Sequence, residues 1–318
     1  MADIANGRIP AQSVPKAGKR RIRRSPGYRI FQVANRIFLI LLSFAFLYPY
    51  LNILSIAFND PADTKKGGLF LFPRAPSVYN FELLLGDEVL GNAAFITLSR
   101  ILIGTALALL VQFGAGYAFT KRGFRGRSGL LIFLMVPMFI SGGLIPYYLL
   151  LANTKLINTF WVYVLPDAFV FFHTVLIRVF IQTTVPVSLE EAAKLDGAND
   201  VYILFRIVLP LCAPILATIA LFTIVFHWND WTNTLFFATS RRLHTLQYRL
   251  MLVIRESEAL QAMIRASIRQ GDFTRVPRAT PESIRSAMLI VTTLPIILFY
   301  PFLQKYFLKG AVIGALKD

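Results

Sequence analysis

Few side chains in this sequence are of types that do covalent or metal chemistry, and they are scattered along the chain. The three histidines stand at positions 173, 227 and 244, and Cys212 is the single cysteine. A metal-assisted or acid–base enzyme needs ligands or paired carboxylates brought together, and no such set stands out. No GxxxxGK[ST] segment occurs, so we expect no ATP site, no metal site and no cofactor in this chain.

Two ionisable residues, Arg100 and Asp167, lie inside apolar runs, where a charge is costly and usually faces a cavity or a partner. They could line a pathway or pair with each other. Rings and amides that suit the faces and hydroxyls of a sugar follow one another in a short segment: Trp228, Asn229, Trp231 and Asn233. The same residue types form the aromatic belt at a membrane interface. These six residues are the candidates for a substrate pathway.

The apolar content of the chain exceeds what a soluble fold can bury. Hydrophobic residues make up 56% of the 318 residues, with 28 Phe and a mean hydropathy of +0.59. A bilayer core of about 30 Å takes roughly 20 apolar residues per helix, and the sequence offers about six such runs. They cover residues 37–58, 92–119, 130–152, 160–181, 207–226 and 287–307. The predicted fold class is an all-α integral membrane protein with about six transmembrane helices.

The positions of Lys and Arg predict the orientation in the membrane. Residues 1–35 are strongly basic and directly precede the first apolar run, and the short loop after the second run is also basic. Cytoplasmic loops are enriched in Lys and Arg, so both segments are expected inside. Six spans return the C-terminus to the same side. The predicted organisation is a loosely ordered cytoplasmic tail (1–35), a transmembrane domain (36–308) and a cytoplasmic C-terminal tail (309–318).

Residues 186–210 are predicted to form a short bent hook between the fourth and fifth apolar runs. Ser188 and Glu191 have the spacing of a capping box, which predicts a helix that starts just after Pro186. Gly197 permits a positive φ where that helix must stop, and Asn199 can cap a second helix in a new direction. The segment could be no more than a well-capped loop helix. Braced between two transmembrane helices, however, such a hook can transmit force.

The hook carries a longer pattern: EAA, three residues, Gly, nine residues, Ile, one residue, Leu-Pro, from Glu191 to Pro210. This pattern resembles the signature of the permease subunits of binding-protein-dependent ABC importers. The segments SGGLIPYYLL, NTFWVYVLP and HWNDW resemble the carbohydrate-uptake branch, especially permeases for oligosaccharides. The resemblance implies that the hook is a coupling helix pair in contact with an ATPase. The residues expected at that contact are Glu190, Glu191, Ala192, Ala193, Asp196, Gly197 and Ala198.

The resemblance also implies the partners and the location. They are a second, homologous permease, a dimer of cytoplasmic ATPase subunits that binds ATP and Mg, and a periplasmic substrate-binding protein, all at the bacterial inner membrane. The chain itself would then be no enzyme but half of a translocation pathway that works by alternating access. Membrane lipid is a further expected partner. Nucleic acid is not, since the net charge of +16 is distributed by the membrane rule.

An Arg-rich insertion, residues 229–283, is expected to be periplasmic and partly helical. Apolar residues recur at helical spacing from Leu246 to Ile268, which predicts an amphipathic helix outside the membrane that ends near Gly271. Guanidinium groups suit carboxylates, so the predicted cargo is an acidic oligosaccharide such as alginate-like uronate oligomers. Lipid headgroups or an acidic surface of the binding protein would suit them equally. The basic residues assigned to this surface are Arg241, Arg242, Arg249, Arg265 and Arg269.

Two other classes of protein remain to be weighed. A stand-alone secondary transporter or channel would leave the EAA pattern without a purpose. A membrane enzyme would need a catalytic cluster at a membrane face, and the scattered histidines do not supply one.

Overall fold

The computed structural model describes residues 26–68, 71–269 and 280–315. Over these ranges the chain is helical, and its one recorded β feature is an isolated bridge between Asn59 and Pro76. The helices before the hook are α1 (Pro26–Ala57), α2 (Pro61–Thr64), α3 (Tyr79–Leu85), α4 (Glu88–Ala118), α5 (Arg127–Phe139), α6 (Leu144–Asn153) and α7 (Phe171–Thr184). The later helices are α8 (Val187–Leu195), α9 (Asp200–Tyr202), α10 (Leu209–Leu211), α11 (Ala213–Asn229), α12 (Thr232–Phe237), α13 (Leu246–Arg269) and α14 (Pro281–Ala315). Short 3₁₀ turns occupy Phe160–Tyr163, Pro166–Ala168 and Arg241–Leu243.

The described residues offer up to six membrane spans by length and composition. Helices α1, α4 and α14 each qualify as one continuous span. Three further spans are bent pairs: α5 with α6 at 119°, the 3₁₀ segment Phe160–Ala168 with α7 at 45°, and Asp200–Leu211 with α11 at 82°. The prediction of an all-α protein with about six spans is therefore confirmed, but half of these spans are broken rather than straight.

The breaks in these spans have local causes. Gly143 adopts a φ of +83° between α5 and α6, a conformation that other residues reach only with strain. Pro214 lies at the start of α11 and lacks the N–H that would continue the helix from α10. The length of an apolar run does not predict such turns, because a straight span and a bent one need the same number of apolar residues.

The chain divides into two compact units, residues 1–50 and 51–318. In the first unit the described residues form the greater part of α1, and the large apolar side chains between Ile37 and Leu47 are exposed. Helix α1 is described from Pro26 onwards. Residues 26–35, predicted as part of a loosely ordered tail, are thus helical. Residues 1–25 lie outside the described residues.

The second unit is built around α4, which packs against α7, α11 and α13. One buried cluster joins the first half of α4 to the end of α11, to α13 and to α14, through side chains such as Ile101, Trp228, Leu250 and Met288. Another joins the last turns of α4 to α7, to the hook and to α11. Helix α4 therefore connects the two regions that carry the candidate functional residues.

The helix predicted within the insertion is confirmed over Leu246–Arg269, and it is not free-standing. Leu246 and Leu250 are buried in the cluster shared with α4 and α14, because the apolar stripe of α13 faces those two helices. Residues 270–279 lie outside the described residues. Helix α14 continues to Ala315, so most of the predicted C-terminal tail is helical backbone, and residues 316–318 lie outside the described residues.

Candidate substrate pathway and coupling hook

Arg100, in the first half of α4, is completely buried and is held by one residue at the end of α11. Its Nη2 donates a 2.8 Å hydrogen bond to Asp230 Oδ2, and its Nη1 donates a 3.3 Å bond to the backbone oxygen of Asp230. A buried cation is tolerated only where a counter-charge and hydrogen bonds replace its hydration. The pair therefore ties α4 to the end of α11.

Two aromatic groups complete the surroundings of the Arg100 guanidinium. Its Cζ lies 4.6 Å from the centroid of the Tyr163 ring, and Nη2 lies 3.4 Å from His227 Nδ1. His227 in turn presses on α4, since a Cβ built on Gly104 would stand 2.5 Å from His227 Nε2. Gly104 thus permits a close approach of α4 and α11 beside the ion pair.

The structure corrects two of the six pathway candidates. Arg100 pairs with Asp230 instead of Asp167, and with no exposed surface it positions other groups instead of lining a pathway. Trp228 is 6% exposed and donates its Nε1–H to the backbone oxygen of Thr292, so it is a core residue between α11 and α14. Asp230, His227 and Tyr163 were missed. The HWNDW segment contains two of these three, His227 and Asp230, and an acidic residue next to an apolar run is the signal that points to a buried ion pair.

The other four candidates surround the corner between α11 and α12. Asp230 Oδ1 accepts hydrogen bonds from the backbone N–H of Thr232 at 3.0 Å and of Asn233 at 3.2 Å, which fixes the start of α12. The Asn233 amide lies 3.5 Å from Asp167 Oδ2. Asn229 and Trp231 line an open cavity of about 310 Å³ together with Asp230. The corner presents amides, a carboxylate and a ring edge in one place, which are groups that can bind hydroxyls.

The basic residues of the insertion fall into two groups. Arg241 and Arg242 are exposed, and among the described residues neither has a carboxylate partner. Arg249 lies 3.2 Å from Asp87 Oδ2, at the start of α4, and so has a structural partner. The side chains of Arg265 and Arg269 lie outside the described residues.

His244 lies beside this basic surface and is buried. Burial, together with the charges of Arg249 and Arg241, lowers the pKa of His244 below its usual value. It is therefore neutral at neutral pH and adds no positive charge to that of Arg241 and Arg249.

The hook has the bent shape that its sequence predicts. Helix α8 ends before Gly197, which adopts a φ of +83°. Asn199 is the N-cap of α9, and its Oδ1 accepts a 2.8 Å hydrogen bond from Tyr202 N. The capping box is wrong: Pro186 is the N-cap of α8, so Ser188 lies inside the first turn and makes no capping bond. A π-helical turn, Ile203–Val208, then leads into α10.

The predicted coupling residues lie on two faces of the hook. Ala193 and Ala198 pack against the buried cluster at the end of α4, and Glu190 forms an ion pair with Lys121. Leu195, 90% exposed, projects from the end of α8, although it was absent from the prediction. The predicted coupling residues exposed on the other face are Glu191, Ala192, Asp196 and Gly197.

Residues 113–312 match the family model described as "Binding-protein-dependent transport system inner membrane component". The chain belongs to this family. The match covers the hook, the broken span after it and the insertion, and it confirms the resemblance carried by the EAA pattern.

Individual relatives of the permease are sugar transporters. This chain is 29% identical to the polygalacturonan/rhamnogalacturonan transport system permease protein YtcP of Bacillus subtilis, over 91% of this chain and 99% of the relative. It is 32% identical to Protein LplC of the same species, over 91% of this chain and 95% of the relative. Its fold matches a crystal structure of a bacterial ABC transporter involved in the import of the acidic polysaccharide alginate, with a TM-score of 0.79 and 26% identity over 89% of this chain and 99% of that one.

The permease is thus a multi-pass inner-membrane subunit of a sugar or oligosaccharide ABC importer. ATP is hydrolysed by a separate ATPase subunit, as predicted, and the chain is the membrane component. The alternatives of a stand-alone transporter and of a membrane enzyme are excluded by this membership.

Proposed function

We propose that the permease forms half of the translocation pathway for an acidic oligosaccharide, built from uronate units. A second, homologous permease supplies the other half, a dimer of ATPase subunits binds ATP and Mg, and a periplasmic binding protein delivers the sugar. Both termini are then cytoplasmic, and the Arg-rich insertion faces the periplasm. Alternating access follows if these partners favour different states of the transmembrane pair.

The exposed pair Arg241 and Arg242 carries the proposal of an acidic cargo. Each guanidinium can donate two parallel hydrogen bonds to a carboxylate, and every uronate unit carries one. Because neither side chain has an acidic partner among the described residues, both are available for such bonds. Two of the proteins compared above, by their names, handle polygalacturonan and alginate, and both polymers consist of uronates.

The corner between α11 and α12 is the part of the pathway that this chain contributes. Asn229, Trp231, Asn233 and Asp167 offer hydrogen-bond donors, acceptors and a ring to passing hydroxyl groups. The buried pair of Arg100 and Asp230 holds this corner in place, so that the contacts are presented without loss of side-chain entropy on each transit.

The exposed face of the hook is the proposed contact with the ATPase. Leu195 is a large apolar side chain that no other described residue covers. Glu191 lies one helical turn before it, and its carboxylate has no ion-pair partner among the described residues. An apolar knob flanked by charge suits a cleft on another protein. The positive φ at Gly197 fixes the angle at which that knob is presented.

Reconstituted importer tests the cargo. The permease, its partner subunits and the binding protein are placed in vesicles, and ATP hydrolysis is measured with oligogalacturonate or alginate oligomers against neutral maltooligosaccharides of the same length. Stimulation by the acidic oligomers alone is the expected result. Equal or greater stimulation by the neutral sugars would reject an acidic cargo.

A further inference from the structure

The end of α4 is fastened to the hook by an ion pair. Lys121 lies three residues after the end of α4, and its Nζ contacts Glu190 Oε2 in the first turn of α8. The same Nζ lies 3.8 Å from the centroid of the Tyr117 ring, on the last turn of α4. The two charged side chains are 25% and 17% exposed, so most of the contact is shielded from water.

Several features keep Lys121 in this place. Tyr117 is buried and holds the ammonium group over its ring, an attraction that grows as water is excluded. Arg178 Nε donates a 3.2 Å hydrogen bond to the backbone oxygen of Phe119, which anchors the same turn to α7. Glu190 is favoured at its position because a carboxylate in the first turn of a helix interacts well with the helix dipole.

The pair separates two adjacent glutamates, of which only Glu191 belongs to the EAA pattern. Glu190 is paired with Lys121, whereas Glu191 lines the same open cavity as this pair, is exposed and has no ion-pair partner in the part of the chain that the structure describes. Helix α4 also carries Arg100, about 26 Å from Tyr117 at 1.5 Å per residue. One rigid helix thus contacts the pathway corner near one end and the hook at the other.

We propose that Lys121 is a positioning residue that sets the angle of α8 relative to α4 through Glu190. A movement of the hook then moves α4 with it, because the ion pair keeps the loop between them from deforming. Through Arg100 the movement reaches the end of α11. This inference rests on the proposed role of the hook as the ATPase contact.

Charge-neutral variants test this role in the reconstituted importer. Lys121→Gln and Glu190→Gln are each expected to lower the number of sugars transported per ATP about fivefold, the effect of losing a partly shielded ion pair and its cation–π contact. The affinity of the membrane subunits for the ATPase should stay unchanged. Arg125→Gln removes the same charge from the same loop, at an exposed residue with no ion-pair partner in the described ranges, and it should couple like the wild type.

The double variant separates positioning from a general weakening of the loop. If both residues act through one contact, Lys121→Gln with Glu190→Gln loses about fivefold, whereas independent roles would multiply to about 25-fold. Lys121→Arg keeps the charge and should restore coupling.

Two outcomes would overturn this inference, and a third would also overturn the proposed ATPase contact. A loss of about 25-fold in the double variant rejects the positioning role. Wild-type coupling in both single variants, while Glu191→Gln uncouples, also rejects it. Both results leave the proposed ATPase contact intact. Wild-type coupling in Glu191→Gln as well rejects the proposed contact itself.

Discussion

Arg100 donates a 2.8 Å hydrogen bond to Asp230, and this pair links α4 to α11 across 130 residues of sequence. Arg100 is completely buried, and the Asp230 side chain is 6% exposed. The second carboxylate oxygen of Asp230 caps the start of α12. One buried carboxylate therefore joins three helices around the corner proposed for the sugar.

Removing one member of this pair should destabilise the permease strongly. Arg100→Met leaves the Asp230 carboxylate buried without its counter-charge, at a cost of about 3–5 kcal/mol. Thermal unfolding of the purified permease in detergent measures this loss. Arg241→Met, at an exposed position, is the control and should unfold like the wild type. Equal unfolding temperatures for the two variants would contradict the role of the pair.

Gly104 and Gly114 lie on the same helix and should respond oppositely to alanine. A Cβ at Gly104 would stand 2.5 Å from His227 Nε2, so Gly104→Ala is expected to cost about 1–3 kcal/mol through overpacking. A Cβ at Gly114 meets nothing within 4 Å, and there alanine should stabilise α4 by up to about 1 kcal/mol. The same unfolding measurement compares them. Destabilisation by both variants, or by neither, would show that α4 and α11 do not approach as described.

Two neighbouring tryptophans should separate stability from transport. Trp228→Leu removes a buried ring and its bond to the backbone of Thr292, which should cost about 1–3 kcal/mol while the folded fraction still transports. Trp231→Leu, at the cavity of the pathway corner, should leave the unfolding temperature in place and lower uptake. Uptake per folded protein is the decisive quantity, and a reversed pattern would remove Trp231 from the pathway.

A side chain at Gly197 should affect coupling, in addition to the backbone strain that it would cause at any positive-φ position. Gly197→Val and Gly126→Val both place a β-branched residue at a positive φ, 83° and 79°, at a cost of about 1–3 kcal/mol each. Only the first changes the angle of the hook, so only Gly197→Val should uncouple ATP hydrolysis from uptake. Should both variants transport equally well per ATP, the hook is not the transmission element.

The exposed arginines should act through their charge. Arg241→Gln with Arg242→Gln is expected to raise the KM for acidic oligosaccharide about two- to fivefold at low salt. The difference should vanish at 1 M salt, where charges are screened beyond about 3 Å. Lys66→Gln, an exposed cation paired with Asp63 in another loop, is the control. A KM that is unchanged at low salt, or a change that persists at high salt, would argue against an electrostatic role.

Much of this architecture could be predicted from short, contiguous stretches of sequence. The number of apolar runs, the helix of the insertion, the turn at Gly197 and the cap by Asn199 all depend on residues within a few positions of one another. The EAA pattern is likewise read along one segment, so it led to the family before any fold was known. Local periodicity and turn chemistry suffice for such features.

Only the tertiary structure decided which side chains meet. Asp230 rather than Asp167 receives Arg100, Glu190 rather than Glu191 receives Lys121, and Trp228 rather than Trp231 lies in the core. In each case two residues of the same type were available, and the outcome depends on which of them the packing brings next to a distant neighbour. That choice is made by packing between helices far apart in sequence, which no periodicity within one segment records.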